Sequence, residues 1–270
     1  MTDSVLIYEK RGHIAYITMN RPEARNAINP EMMVRLADAW LDYAGDDELR
    51  VAIITGAGDK AFCAGADLKR LIPLMTGARQ PEDEWDNKLR SDPSIGRTAL
   101  LHGYNLYKPV VSAVQGHCLA AGTELMQATD IRIAADTAQI GLQEVKRGIV
   151  PAGGGLARLP RQIPFAKAME ILLVGDSISA EEARLCGLVN YVVPASEVMA
   201  MAEEFAQKIA ANGPLAVRKA KEAVLRTSGL SLEEAYAVEN EIIPEVMRSE
   251  DAREGPLAFM QKRPPQWKGR

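Results

Sequence analysis

Two glutamates in this chain stand among residues that leave a carboxylate room to act. Glu124 lies in Gly122-Thr123-Glu124-Leu125, at the predicted start of an apolar helix, and Glu144 precedes Val145-Lys146-Arg147-Gly148-Ile149-Val150-Pro151. A pair of carboxyls suits acid/base chemistry. One takes a proton from water while the other delivers one, provided their surroundings separate their proton affinities. Each also has a plainer reading. Glu124 alone would serve as a helix N-terminal carboxylate stabilised by the dipole, and Glu144 would pair with Lys146 or Arg147 on a solvated face.

Upstream, Ala61-Phe62-Cys63-Ala64-Gly65-Ala66-Asp67-Leu68 is small and sharply turned and directly follows an apolar strand. Small residues let backbone N–H groups approach a ligand closely. His102 and His117 read as surface or satisfied core histidines. Cys63 reads as a small apolar filler, since no histidine stands in the context a thiolate nucleophile needs. Gly56-Ala57-Gly58 lacks the third glycine of a dinucleotide fingerprint, and neither a Walker A motif nor a G-x-S-x-G elbow occurs.

The elements that must position these groups alternate between strand and helix. Val5 to Tyr8 and Ile14 to Thr18 form a hairpin-like start. Asn29-Pro30 opens a helix, with Asn as N-cap, Pro at its first position, and Met32, Met33, Leu36, Ala39 and Trp40 at helical spacing. Val51 to Thr55, Val110 to Val114 and Ile131 to Ala134 read as buried strands, with a helix over Ala120 to Ala128. This order indicates βαβ units and mainly parallel pairing. After Pro151 the predicted segments are helical: 164–174, 180–186, 196–211, 215–227, 232–247 and 252–262. Leu71 to Ser94 carries Pro73, Pro81 and Pro93 without clear periodicity and reads as a mobile loop or broken helix. Trp85 and Met75 within it either line a pocket or anchor the segment.

With 270 residues, of which 47% are hydrophobic, the chain buries a large core, and a formal charge of -4 argues against a nucleic-acid partner. Cys63, Cys118 and Cys186 cannot all pair and show no C-x-x-C spacing, so neither a disulfide framework nor a metal site is expected. The N-terminus lacks a basic region followed by an apolar run, and no apolar stretch reaches about 18 residues. A cytoplasmic protein with no membrane association is the expectation.

The Ala61–Leu68 turn, Lys108-Pro-Val-Val-Ser-Ala-Val-Gln-Gly116 and Gly116-His-Cys-Leu-Ala-Ala-Gly-Thr-Glu124 together resemble the crotonase (enoyl-CoA hydratase/isomerase) superfamily. The resemblance runs from Asn20-Arg21-Pro22-Glu23-Ala24-Arg25-Asn26-Ala27 to Phe259-Met260-Gln261-Lys262-Arg263. It implies an α/β fold with a ββα spiral core over residues 1–195 and a C-terminal helical trimerisation region over 196–270, assembled as a homotrimer or a homohexamer made from two trimers.

The implied substrate is an acyl-CoA thioester, with no cofactor beyond coenzyme A as its carrier. The implied reaction is syn addition of water to a trans-2-enoyl-CoA, giving a 3-hydroxyacyl-CoA, as in fatty-acid β-oxidation or a related acyl degradation. By the resemblance, backbone N–H groups of Ala64 and Ala121 form the oxyanion hole, Glu124 activates the water, and Glu144 protonates the α-carbon. Arg25 to Ala27 would line the pantetheine and nucleotide path, Ala64 to Leu68, with Ala66, Asp67 and Leu68 as binding residues, would curve round the adenine, and Phe259 and Lys262 would reach CoA, commonly from a neighbouring subunit. The chain departs from many relatives at Ala120 and Ala121, where glycine is common, and at Gln143, where proline is common. Double-bond isomerisation, a carnitinyl-CoA-type dehydration or a steroid or aromatic acyl-CoA reaction would use the same enolate stabilisation. A catalytically idle CoA- or RNA-binding homologue is the alternative of a different class.

Overall fold

A computed structural model describes residues 4–270, so Met1 to Asp3 of the N-terminal segment discussed above lie outside it. Among the described residues, ten strands form two sheets. The larger sheet comprises β1 (Leu6–Arg11), β2 (Ile14–Met19), β3 (Val51–Gly56), β5 (Val110–Val114), β7 (Ile131–Ala135) and β10 (Tyr191–Val193), hydrogen-bonded in that order. The smaller comprises β4 (Ala61–Cys63), β6 (His117–Leu119), β8 (Gln139–Gly141) and β9 (Ile178–Ser179). Pairing is antiparallel only at β1/β2 and β8/β9. The other neighbours are parallel, as the alternating sequence indicated.

The opening hairpin is tighter than its sequence suggested. Arg11 pairs with Ile14, leaving only Gly12 and His13 in the turn, with Gly12 at φ +57°. Strands β3 and β5 are almost wholly buried because helices cover the sheet. Their near-continuous apolar runs are what a parallel strand buried on both faces requires.

Helix α1 (Pro30–Gly45) starts where expected: the Asn29 side chain accepts from the Met32 N–H, and Pro30 takes the first turn. Its Trp40 indole donates to the Ala99 carbonyl at 3.1 Å and its Tyr43 hydroxyl to the Pro109 carbonyl at 2.7 Å. These bonds tie the helix to the segment that leads into β5. Three short helices follow β4: α2 (Leu71–Met75), α3 (Glu84–Ser91) and α4 (Ser94–Ala99). The 71–94 stretch is thus a broken helix, and its two halves are latched by charge. Fully buried Asp86 accepts from Arg79 at 2.5 and 2.9 Å, from the Glu82 N–H at 2.9 Å and from Arg70 at 3.4 Å. The Arg79 hydrogen bond holds the Asp86 carboxyl down at about 2.

Helix α5 (Ala121–Gln127) joins β6 to β7. The helices that follow are α6 (Gly155–Gln162), α7 (Phe165–Val174), α8 (Ala180–Leu185), α9 (Val198–Ala210), α10 (Pro214–Thr227), α11 (Leu232–Met247) and α12 (Asp251–Met260). Helix α9 lies on the larger sheet against β2, β3, β5 and β7, whereas α10, α11 and α12 pack successively on one another. The short second sheet and α6 are additions to what the sequence indicated. Among the described residues, no helix is long and apolar enough to cross a membrane.

Candidate active site

The smaller sheet and the start of α5 bring the candidate residues together. Strands β4 and β6 pair in parallel, with Cys63 opposite Cys118, so the turn after β4 and the turn after β6 emerge side by side. Their approach is close enough to demand glycine twice. A Cβ on Gly65, which sits at φ +103°, would lie 2.8 Å from the Ala120 Cβ, and one on Gly122 would lie 2.4 Å from the Cys63 carbonyl oxygen. Ala120 itself, where glycine is common in the resembling family, adopts φ +49° and ψ -124°, a region that strains any residue with a side chain.

Beside these turns lies a cavity of about 460 Å³ whose wall includes Ala64, Ala66, Leu68, Ala121, Glu124 and Glu144. Helices α2 to α4 supply much of the remaining wall, through Leu71, Ile72, Met75, Leu89 and Arg97. Among the described residues, none of those lining it is Phe, Tyr or Trp. Met75 is therefore a cavity residue, while Trp85 lies outside it beneath Arg35 and Lys88, each 4.8 Å from its ring centre. His102 also lines the cavity.

Glu124 is 2% exposed and held at one oxygen. Its Oε1 accepts from the Gly153 N–H at 2.7 Å and the Gly155 N–H at 2.8 Å. Burial raises its proton affinity, while those two bonds and the charges of Arg158 and His102 work the other way. Glu144 follows β8 in a single 3-10 turn, Glu144–Arg147. It pairs with neither nearby cation: Lys146 bonds Asp176, and Arg147 donates to the Lys146 carbonyl. Among the described residues its buried Oε2 has no hydrogen-bond partner. Burial, reinforced by the Glu124 charge, pushes the Glu144 carboxyl up to about 7. The two carboxyls are thus in unlike environments, one gripped by N–H donors and one with an unpartnered buried oxygen. That difference makes Glu124 the better proton acceptor and Glu144 the better proton donor near neutrality.

One expected donor has to be corrected. The Ala64 N–H donates to the Arg25 carbonyl at 3.0 Å and is therefore not free to bind an oxyanion. Two residues on, Ile28 N–H bonds the Gly65 carbonyl and Asp67 N–H bonds the Ile28 carbonyl. Those bonds turn the Ala66 N–H out of the ladder, and among the described residues it has no acceptor. The Ala121 N–H, at the first position of α5, is free in the same sense. A Cβ built on Gly65 would lie 3.6 Å from the Ala121 nitrogen, which shows how close the two turns are.

The remaining candidates scatter. Asp67 is committed to structure: it accepts from Arg21 at 3.0 Å and from the N–H groups of Lys69 and Arg70. Leu68 is exposed on the cavity rim. Arg25, Ala27, Phe259 and Lys262 lie off the cavity wall. Arg25 and Asn26 are both left-handed, at φ 52° and 55°, which bends the chain so that the Arg25 carbonyl meets Ala64. Cys63 is buried and its thiol is pushed up to about 12, consistent with a packing role. Sequence reading missed Gly153, Gly155 and Arg158. The visible signal was the run Gly153-Gly154-Gly155 behind Pro151.

Comparison with known proteins agrees with this fold. The family model for enoyl-CoA hydratase/isomerase matches residues 9–270. Enoyl-CoA hydratase EchA19 of Mycobacterium tuberculosis is 42% identical over 267 residues, covering 98% of this chain and 96% of that protein. Carnitinyl-CoA dehydratase of Escherichia coli is also 42% identical, covering 97% of each chain. Among solved structures, enoyl-CoA hydratase EchA1 of Mycobacterium marinum superposes with a TM-score of 0.88 at 41% identity, covering 99% of this chain and 100% of that one. With a match that spans the fold, both glutamates and the paired turns around them, the chain belongs to the enoyl-CoA hydratase/isomerase family.

Proposed function

We propose that the protein is an enoyl-CoA hydratase, adding water across the double bond of a trans-2-enoyl-CoA to give a 3-hydroxyacyl-CoA. The observation that carries this reading is the presence of two buried carboxyls of unlike proton affinity on the wall of one apolar cavity. Glu124, through the oxygen not held by Gly153 and Gly155, takes a proton from water as the water oxygen bonds to the β-carbon. The π electrons move toward the thioester, leaving negative charge on its oxygen. The N–H groups of Ala66 and Ala121 meet that charge, each contributing about 3 kcal/mol if well aligned. Glu144 then gives its proton to the α-carbon, the enolate collapses, and the proton now on Glu124 returns to Glu144 through solvent. Delivery of both groups from one wall makes the addition syn.

The chemistry needs no group beyond coenzyme A carried by the substrate. Exposed Arg25 at the back of the Ala64 turn fits the nucleotide path. Exposed apolar side chains on α10 to α12, among them Val224, Leu232, Met247 and Phe259, suit assembly into a trimer or a pair of trimers, through which Phe259 and Lys262 would reach a neighbour's CoA. A carnitinyl-CoA dehydration is the second reading. The cavity wall disfavours it, because a quaternary ammonium is typically held by Trp, Tyr or Phe faces and this wall, among the described residues, has Arg97, Arg147 and His102 but no Trp, Tyr or Phe.

The test is turnover of a series of trans-2-enoyl-CoA thioesters, from crotonyl to long-chain and ring-bearing acyl groups, followed by loss of enoyl absorbance and set against carnitinyl-CoA. Hydration that disappears in Glu144→Gln, with thioester binding retained, supports the proposal. Absence of hydration across the series, or full activity in that variant, refutes it.

A further inference from the structure

Arg158, on α6, is a half-buried guanidinium with no carboxylate within ion-pair distance among the described residues. It instead donates to three backbone carbonyls on three segments: Gly153 at 3.0 Å, Glu124 at 3.2 Å, and Leu101. It also fills the hollow under Gly154, where a Cβ would lie 2.7 Å from its Nη1. Partial burial lowers the proton affinity of this guanidinium, and the Glu124 charge opposes that. A cation partly withdrawn from water and matched only by carbonyls is costly to a fold. Two of its three bonds fall on the turn that grips Glu124 and on the backbone of Glu124 itself, and the third ties them to Leu101, after α4.

We propose that Arg158 is the positioning residue for Glu124: its guanidinium pins the 153–155 turn so that two N–H groups hold Oε1, and its charge keeps that carboxyl ionised and ready to take a proton. The role of Glu124 rests on the hydration reading, whereas the electrostatic link to Arg158 does not. Other titratable groups facing Glu124 are few. Glu144 comes from the turn after β8 and His102 from the segment after α4. Strands β4 and β6, packed against α5, present Cys63 and Cys118, both kept as neutral thiols by burial. Among the described residues, Arg158 is the one permanent cation in this set.

The experiment titrates Glu124 directly by infrared difference spectroscopy of the protonated carboxyl band. It uses the full-length protein in a Glu144→Gln background, so that one carboxyl titrates rather than a coupled pair. The Glu124→Gln variant assigns the band. Replacement of the cation in Arg158→Gln should raise the midpoint by about one pH unit or more. Arg158→Lys keeps the charge but not the three-way bonding. Its midpoint should stay near the parent's, while hydration in the Glu144 parent shows lower kcat at unchanged KM.

An unmoved midpoint in folded Arg158→Gln overturns the electrostatic half, and wild-type kcat in Arg158→Lys overturns the positioning half. Should Arg158→Gln fail to fold, the Lys variant still decides: a midpoint raised as far as loss of the cation predicts contradicts the charge argument. A midpoint that responds to Arg158 in a protein that hydrates no thioester leaves this proposal standing and sinks the reaction instead.

Discussion

Replacing Glu144 by glutamine should make the protein more stable at alkaline pH while destroying its activity. Burial places the folded-state carboxyl at about 7 against an ordinary 4.5. At about 1.4 kcal/mol per factor of ten in proton affinity, the protonated form is favoured by about 3 kcal/mol, an upper figure because the cavity face of the carboxyl meets water. The sign follows from linkage. The folded state holds this proton more tightly than the unfolded chain, so the associated stability is fully present below 4.5, declines as pH rises, and is lost above about 7. Glutamine is a neutral shape mimic with no proton to lose.

The variant and the wild type should therefore have similar stability near pH 4.5 to 5. The variant should gain progressively, approaching 3 kcal/mol by about pH 8.5. Urea denaturation at half-unit steps from pH 5 to 9, at one protein concentration, measures the difference directly. The repulsion from Glu124 that the variant removes is already contained in this figure, because the Glu124 charge is one of the causes of the raised affinity. Parallel stability curves for the two proteins, or a wild type whose stability is flat across this range, would refute the argument that Glu144 is buried with a raised affinity.

The pH dependence of hydration should show the same proton, with activity falling above about 7 as Glu144 ionises; a profile still rising at pH 8.5 would contradict its role as the acid. Ala120→Gly should relieve the strain of an alanine at φ +49°, raising the denaturation midpoint with a net gain of up to about 1 kcal/mol once glycine's unfolded-state entropy is offset; a lower midpoint argues that the conformation is unstrained. Gly153→Ala would place a methyl 2.9 Å from Glu124 Oε2 and 2.7 Å from Leu100 Cδ1, and kcat should fall about tenfold or more with the fold retained, as circular dichroism and initial rates will report. Asp86→Asn would remove the charge that latches α2 to α3, so KM should rise more than kcat falls; unchanged KM would show that this latch does not shape the cavity wall.

How far the sequence was legible depended on where each constraint comes from. The β2, β3, β5 and β7 runs and the Asn29 cap declare themselves locally, because burial and capping act on neighbouring residues. The two- and three-residue strands of the smaller sheet do not, since nothing in Gln139–Gly141 or Ile178–Ser179 marks a strand until a partner fixes its register. Glu124 and Glu144 were visible from their small-residue surroundings. Which alanine beside Gly65 offers a free N–H was not, because that is decided by the distant Arg25 carbonyl. The Gly153 and Gly155 donors were hidden for the same reason.

The bond from Ala64 N–H to Arg25, together with the Ile28 bonds on either side of Ala66, has a further consequence. The loop is sewn down on both sides of the outward Ala66 N–H, and the sewing thread is the backbone of residues 25–28, not the ligand. On the proposed reading, the electric field that greets a thioester oxygen is set during folding, and a bound substrate need rearrange nothing to obtain it. Mutations in the 25–28 segment that never touch the acyl group would then register as losses in the chemical step, with the fold intact.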